Sequence, residues 1–157
     1  MPSNVDGSMI SPKALNGPGN RVPAATGEVT GVGLFRRKKD LVDLNERSAR
    51  SGIKHKDLML LNQMVKHGAD LSVPRHVLHY SYFTSREAAS AAAQEAVSHQ
   101  WPSEVREPLP QYPDQWALVS ERPDAVLDPA FVRDSTDYFE ALCQRHGGEY
   151  DGWEASI

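Results

Sequence analysis

The most constraining feature of the sequence is its end, where a glycine pair stands directly before a short aromatic segment. Gly147-Gly148 is followed after one residue by Tyr150-Asp151-Gly152-Trp153. A double glycine is typical of a helix terminus, and an aromatic, β-prone run favours a strand. The pattern predicts a helix, a tight stop and a final strand. Glycine inside a strand usually marks a bulge or a close approach of another backbone, and both alternatives stay open for Gly152.

Two aromatic residues of this final strand have an informative spacing. Tyr150 and Trp153 are an odd number of positions apart, so a regular strand would turn them to opposite faces. A bulge at Gly152 would bring both side chains to one side. Two interpretations of Trp153 stay open: a buried ring that closes one end of a small core, or an exposed corner that binds a partner.

A strand and a helix are predicted in the middle of the chain. The segment from Arg75 to Phe83 alternates as a half-buried strand does, with Val77 and His79 on one side. Thr84 and Glu87 then have the spacing of a capping box, which predicts a helix that begins at Thr84. Small residues dominate that helix and would let it lie close to a sheet: Ala88, Ala89, Ala91, Ala92, Ala93 and Ala96.

The elements that follow define the fold class. Strands are predicted from Glu104 to Leu109 and from Gln115 to Glu121, and Asp128-Pro129 is a strong helix start. An earlier helix begins at Asp57 as its N-cap and ends at Gly68. The order strand, helix, strand, strand, helix, strand predicts an α+β protein, a ferredoxin-like split βαβ sandwich preceded by an N-terminal helix.

Three segments are expected along the chain. Residues 1–33 are rich in Gly, Pro and Ser without an apolar period, which predicts a disordered arm. A second interpretation is that translation begins later in the chain and that the start codon was assigned too early. Residues 34–56 are predicted to hold a basic segment and a short helix between Asp40 and Ser51. Residues 57–157 are predicted to form the folded domain.

Charge is divided unevenly between these segments. Residues 1–56 contain ten Lys and Arg against five acids, a net charge of +5, and the whole chain has −4, so residues 57–157 carry −9. An acidic domain repels phosphate backbones and is a poor direct binder of RNA. It is suited to a basic protein surface, although acidic residues also serve solubility alone.

Residues for catalysis or metal binding are hard to find in the sequence. His76 and His79 fall on opposite faces of one strand, and no Cys pair or metal-binding helix motif accompanies them, so we predict no metal and no cofactor. Without a nucleophile elbow or a phosphate-binding glycine loop, no enzyme is predicted. The single Cys143 is predicted to be a buried filler. The absence of a long apolar run or of a secretory signal predicts a cytoplasmic protein.

Several segments resemble a known family. Tyr150-Asp151-Gly152-Trp153, Val77-Leu78-His79-Tyr80, Gly68-Ala69-Asp70 and Thr84-Ser85-Arg86-Glu87 are similar, in this order of elements, to the regulator of ribonuclease activity B family, although Glu154 replaces a glycine of its final motif. The resemblance covers about residues 57–157. It implies a non-catalytic bacterial inhibitor that binds ribonuclease E or a related endoribonuclease and so modulates RNA decay. The expected partner-binding residues are His79, Tyr150, Asp151 and Trp153.

A second function class fits the same fold. Ferredoxin-like sheets also serve as small-ligand or RNA-binding modules, which stack rings on aromatic residues of their open face. Tyr80 and Tyr82 offer two such rings, and Trp116 or Trp153 would report binding by fluorescence. The predicted partner strand lacks the basic-aromatic motif of RNA-recognition modules, which disfavours sequence-specific RNA binding.

Overall fold

The computed structural model describes residues 42–157 and the backbone of Met9–Ile10. It is an α+β structure with an antiparallel sheet and three helices, which confirms the predicted class. The elements in chain order are β1 (Met9–Ile10), α1 (His55–Lys66), β2 (Arg75–Phe83), α2 (Arg86–Ser98), β3 (Ser103–Arg106), β4 (Trp116–Ala125), α3 (Pro129–His146) and β5 (Glu149–Ser156).

The sheet is antiparallel throughout and has the strand order β1-β5-β2-β4-β3. Strand β2 lies at its centre, and buried residues alternate with half-buried ones along its whole length, as the sequence predicts. The buried set faces the three helices. The other set, which includes Leu78, Tyr80 and Tyr82, lies on a face that packs against no helix in the described part of the chain. We call it the open face.

Two apolar clusters fill the space between sheet and helices. One joins α1 to the β2–β5 side and includes Leu60, Met64 and Trp153. The other joins α2 and α3 to the centre of the sheet and includes Phe83 and Phe139. Three alanines of α2, at positions 89, 92 and 96, have no exposed surface. Their small side chains allow the helix backbone to lie close to the strands.

Helix starts follow local side-chain chemistry. Asp128 caps α3 by accepting a hydrogen bond from the Phe131 amide at 2.7 Å, as predicted. The cap of α2 is Ser85, whose hydroxyl accepts from the Ala88 amide at 3.1 Å. The prediction of Thr84 as that cap was therefore wrong by one residue, because both positions carry a hydroxyl and only the backbone geometry distinguishes them.

The start of α1 differs from its prediction. Its N-cap is Lys54, without a side-chain cap, and Asp57 is the third residue of the helix and is buried. Asp57 therefore does not cap the helix. The short helix predicted up to Ser51 is absent from residues 42–51, which form turns that lead to a bridge between Arg47 and Lys54. The buried Ile53 anchors this segment to the core.

Strand bounds also differ from the sequence-based ones. Strand β3 ends at Arg106, because Pro108 and Pro110 lack the amide donors that would continue its ladder. Strand β4 continues to Ala125, opposite Arg75, and so pairs with nearly the whole of β2. The predicted arm at residues 1–33 and the basic cluster at residues 36–39 lie outside the described residues, apart from the Met9–Ile10 backbone that pairs with β5.

The turn between α3 and β5 supplies a test of packing. Gly147 has a left-handed φ of 69° at the helix terminus, and a Cβ on Gly148 would lie 2.3 Å from Phe83 Cε1. We expect Gly148→Ala to lower the free energy of unfolding by ~1–3 kcal/mol, the usual cost of overpacking, in urea denaturation.

A double substitution serves as the control for this prediction. In a Phe83→Leu background the clash is relieved, so Gly148→Ala should cost less there than in the parent. An equal cost in both backgrounds would show that Phe83 is not the reason for glycine at position 148.

Candidate functional site

The predicted partner-binding residues lie on the two adjacent strands β2 and β5. His79 stands opposite Trp153 in the ladder, and the two side chains are only 1% and 2% exposed. Tyr150 is partly buried beside His79, and Asp151 is partly exposed at the edge of the molecule. The structure therefore brings all four together, with three directed towards the helices and Asp151 at the surface.

A β-bulge in β5 explains this arrangement. Gly152 lies opposite Tyr80 and Tyr150 lies opposite Ser81, so Asp151 is the extra residue of the pair. Gly152 has a φ of 130°, a conformation that side-chain-bearing residues rarely adopt. Of the two alternatives for Gly152, the bulge is present, and it turns Tyr150 to the same side as Trp153.

His79 lies at the centre of an aromatic cluster. Its ring stacks on Phe139 at 4.5 Å between centroids and meets the edge of Trp101 at 5.0 Å. The Nδ1 atom lies 2.8 Å from the Tyr150 hydroxyl, whereas Nε2 has no hydrogen-bond partner among the described residues. Burial, followed by the positive charge of Arg122, lowers the pKa of His79 to about 3. The imidazole is therefore neutral near pH 7.

Trp153 joins the last strand to the first helix. Its indole Nε1 donates a hydrogen bond to Asp57 Oδ1 at 2.9 Å, and Asp57 is itself only 2% exposed. Burial raises the pKa of Asp57, and the Trp153 hydrogen bond partly offsets that rise. The other oxygen, Oδ2, has no partner in the part of the chain that the structure describes. Asp57 near the helix N-terminus also interacts favourably with the helix dipole.

Asp151 lines a cleft at the end of the sheet. The cleft has a volume of about 600 Å³, and Tyr82, Gln115 and the glycine turn contribute to its walls. Three carboxylates line it, and we call it the acidic cleft: Asp114, Glu149 and Asp151. An arrangement of this kind attracts cationic groups from a partner.

A second group of surface residues escaped the sequence-based reasoning. Leu109 and Tyr112, in the loop between β3 and β4, stand beside Tyr80 and Tyr82 around a depression of about 320 Å³ on the open face. The two loop residues are more than half exposed. The signal in the sequence is a large apolar and an aromatic residue within a proline-rich turn that would otherwise be expected to be polar.

Metal binding and covalent catalysis both need particular side chains in particular surroundings. Residues 42–157 contain no cluster of three or more His, Cys, Asp or Glu arranged to hold a metal ion. Cys143 is a buried thiol, and burial raises its pKa. Within the same residues, no helix combines the length and apolar character needed to cross a bilayer.

Comparison with known proteins identifies the family. The sequence profile of the regulator of ribonuclease activity B family matches residues 54–155. The chain belongs to this family. The match covers all of α1 to β4 and nearly all of β5, including the His79–Trp153 pair and the acidic cleft, and it confirms the resemblance found in the sequence. No curated protein matches the chain. Regulation of ribonuclease activity is the function for which the family is named.

Burial of Trp153 leads to a stability prediction. Trp153→Ala should lower the free energy of unfolding by ~3–5 kcal/mol, because it removes a buried aromatic ring and leaves Asp57 without its donor. Trp116→Ala, at a partly exposed position, is the control and should cost less. A denaturation curve of Trp153→Ala that coincides with the parent's would contradict the structural role.

His79 makes stability depend on pH. The folded protein binds the His79 proton less readily than the unfolded chain, so stability is full above the usual pKa of 6.5 and is lost as the pH falls towards about 3. Between pH 7 and pH 5 this group alone should remove about 2 kcal/mol.

The variant His79→Phe isolates this contribution. It keeps a stacked ring but cannot be protonated, so its stability should depend less on pH over that range, whatever its absolute stability. The control is Val97→Ser, a change at an exposed residue that leaves every titratable group in place and should follow the parent. If the stability of the parent and of His79→Phe changed with pH in parallel, His79 would not be the source of the pH dependence.

Proposed function

We propose that the protein lowers the activity of ribonuclease E, or of a related endoribonuclease, by binding it directly and without catalysing a reaction. The family match across residues 54–155 carries the proposal, because the family is named for regulation of ribonuclease activity. The proposed setting is the cytoplasm of a bacterium. The strand order β5-β2-β4-β3, with α2 and α3 in the connections, supports the ferredoxin-like layout as the scaffold.

Electrostatic attraction is the proposed basis of recognition. Residues 57–157 carry a net charge of −9. A ribonuclease surface that holds RNA must be basic, since it neutralises phosphates, and such a surface attracts an acidic domain for the same reason. Occupation of that surface by the domain would exclude RNA. The attraction between exposed charges is screened beyond ~8 Å at physiological salt, so inhibition should weaken as salt rises.

The four predicted partner-binding residues have two roles in this proposal. Asp151 contacts the partner from the acidic cleft, because it is the extra residue of the bulge and lines that cleft. The other three residues do not contact the partner but hold β2 and β5 against the helices: His79, Tyr150 and Trp153. Their contribution to binding is the fixed geometry of the cleft rather than direct contact.

The chemistry of the buried groups supports a non-catalytic mode of action. A pKa of about 3 keeps His79 neutral, and burial raises the pKa of Tyr150 well above its usual value, so neither group is suited to acid–base catalysis near neutral pH. The Cys143 thiol is buried, and its raised pKa disfavours the nucleophilic thiolate.

A reconstituted assay tests the proposal. Purified ribonuclease E cleaves a fluorogenic RNA, and the initial rate should fall saturably as the protein is added, with a complex detectable by surface plasmon resonance in the absence of RNA. The pair Glu149→Gln and Asp151→Asn should raise the half-inhibitory concentration roughly tenfold, equivalent to about 1.4 kcal/mol.

The matched control removes two charges elsewhere. Glu46→Gln with Asp134→Asn changes the net charge equally but leaves the acidic cleft intact, so inhibition should stay close to the parent's. If no complex forms with ribonuclease E or a related endoribonuclease, or if the rate falls only because the protein binds the RNA, the proposal is wrong.

A further inference from the structure

Three depressions that share wall residues lie side by side across the end and the open face of the sheet. The acidic cleft shares Tyr82 and Gln115 with the depression of about 320 Å³ under the β3–β4 loop. That depression shares Arg106 and Val119 with a third one of about 220 Å³. We call the three together the open-face groove. It crosses all four strands from β5 to β3.

The middle of the open-face groove is aromatic and aliphatic. Tyr80, Tyr82 and Tyr112 surround it, with Leu109 at its rim and Val119 at its floor. Val119 is only 5% exposed, although it lies on the open face, whereas Leu109 and Tyr112 are 59% and 54% exposed. A tyrosine-rich depression with an apolar floor suits an apolar or aromatic side chain, since tyrosine offers a large ring surface and a polar tip.

Both ends of the groove are acidic. The acidic cleft forms one end, and Glu104 and Glu121 line the other. Of the described residues in the walls of the groove, only Arg106 is basic, and its Nε already lies 3.1 Å from Glu104 Oε2. The charge pattern is therefore negative, nearly neutral and negative along the groove. A complementary ligand carries positive groups on both sides of an apolar centre.

The dimensions favour a linear ligand over a compact one. The groove crosses three inter-strand spacings of about 4.8 Å and also passes about five residues of β2 at roughly 3.3 Å each, from Phe83 to Leu78. It therefore runs obliquely over roughly 20 Å, which is the length of about six extended residues.

We propose that the open-face groove binds an extended peptide segment of the regulated ribonuclease, in which an apolar or aromatic residue is flanked on both sides by arginine or lysine. The identity of the partner rests on the proposed function, whereas the chemistry of the peptide rests on the groove alone. Single-stranded RNA is disfavoured as the occupant, because its phosphates would lie against the carboxylates at both ends.

A peptide-binding experiment tests the groove directly. The probe is a short fluorescein-labelled peptide with a leucine–tryptophan pair flanked by arginine pairs, titrated with the full chain and followed by fluorescence anisotropy. Saturable binding is expected. A peptide with glutamate in place of arginine, and one with glycine–serine in place of leucine–tryptophan, should each bind at least roughly tenfold more weakly, equivalent to about 1.4 kcal/mol.

Substitutions in the protein locate the binding surface. Glu107 also lines the groove, beneath the β3–β4 loop. Glu104→Lys with Glu107→Lys reverses two charges at the groove and should weaken peptide binding at least roughly tenfold. Glu46→Lys with Asp134→Lys reverses the same number of charges away from the groove and should have a much smaller effect. All four carboxylates are on exposed residues, so neither pair is expected to prevent folding.

An aromatic substitution tests the middle of the groove. Tyr112→Ser, at a residue 54% exposed, should weaken binding of the peptide, whereas Val97→Ser, 55% exposed on α2, should not. Far-ultraviolet circular dichroism and melting curves of these variants verify that each is folded.

The outcomes separate this inference from the proposed function. Groove-dependent peptide binding without inhibition of any ribonuclease would support the groove and contradict the function. Inhibition that is unchanged in Tyr112→Ser and in the Glu104 and Glu107 pair would overturn the groove while leaving the function intact. The inference would also be overturned if the groove pair and the control pair weakened peptide binding equally. Displacement of the peptide by single-stranded RNA that binds the same residues would overturn it as well.

Discussion

The β-bulge in the last strand is the feature on which the rest of the structure depends. One extra residue, Asp151, reverses the side-chain alternation between Tyr150 and Trp153, so that both aromatic residues face the helices. Tyr150 then reaches His79, and Trp153 reaches Asp57 on α1. Without the bulge, one of the two rings would face solvent and one of the two buried polar groups would lose its partner, at a typical cost of ~1–3 kcal/mol.

Buried side chains of β2 and β5 hold two of the helices against one face of the sheet. The Asp57–Trp153 bond fixes α1 against β5, and the stack of His79 on Phe139 fixes α3 against β2. The alanines of α2 complete the layer. Because the helices cover one face only, the tyrosines and Val119 of the other face are left to the β3–β4 loop and to whatever binds there. The asymmetry of the core therefore creates the surface that carries the proposed interaction.

Local chemistry in the sequence predicted more of this structure than long-range pairing did. The alternation of β2, the Asp128 cap and the bulge at Gly152 depend on neighbouring residues, and each was predicted, the bulge as one of two alternatives. Asp57 was assigned to a cap because Asp at a helix start usually has that role. Its actual partner, Trp153, is 96 positions away, and nothing local indicates the contact. The groove residues Leu109 and Tyr112 carry a local signal in their proline-rich turn, but the tyrosines beside which they stand belong to the distant strand β2.

The core and the proposed binding surface share one backbone feature. The bulge that turns Tyr150 and Trp153 inward also places Asp151 outward, where it lines the acidic cleft with Glu149. Two consecutive sequence positions thus have different environments, since Asp151 is partly exposed in the acidic cleft and Gly152 is buried against β2. A residue with a side chain at position 152 would be strained at this positive φ, and relief of the strain would shift both the inward aromatic residues and the carboxylates of the cleft. A substitution at position 152 therefore changes both the stability of the domain and the shape of its acidic end, whereas Tyr112, 54% exposed at the middle of the open-face groove, can be changed with little effect on the core.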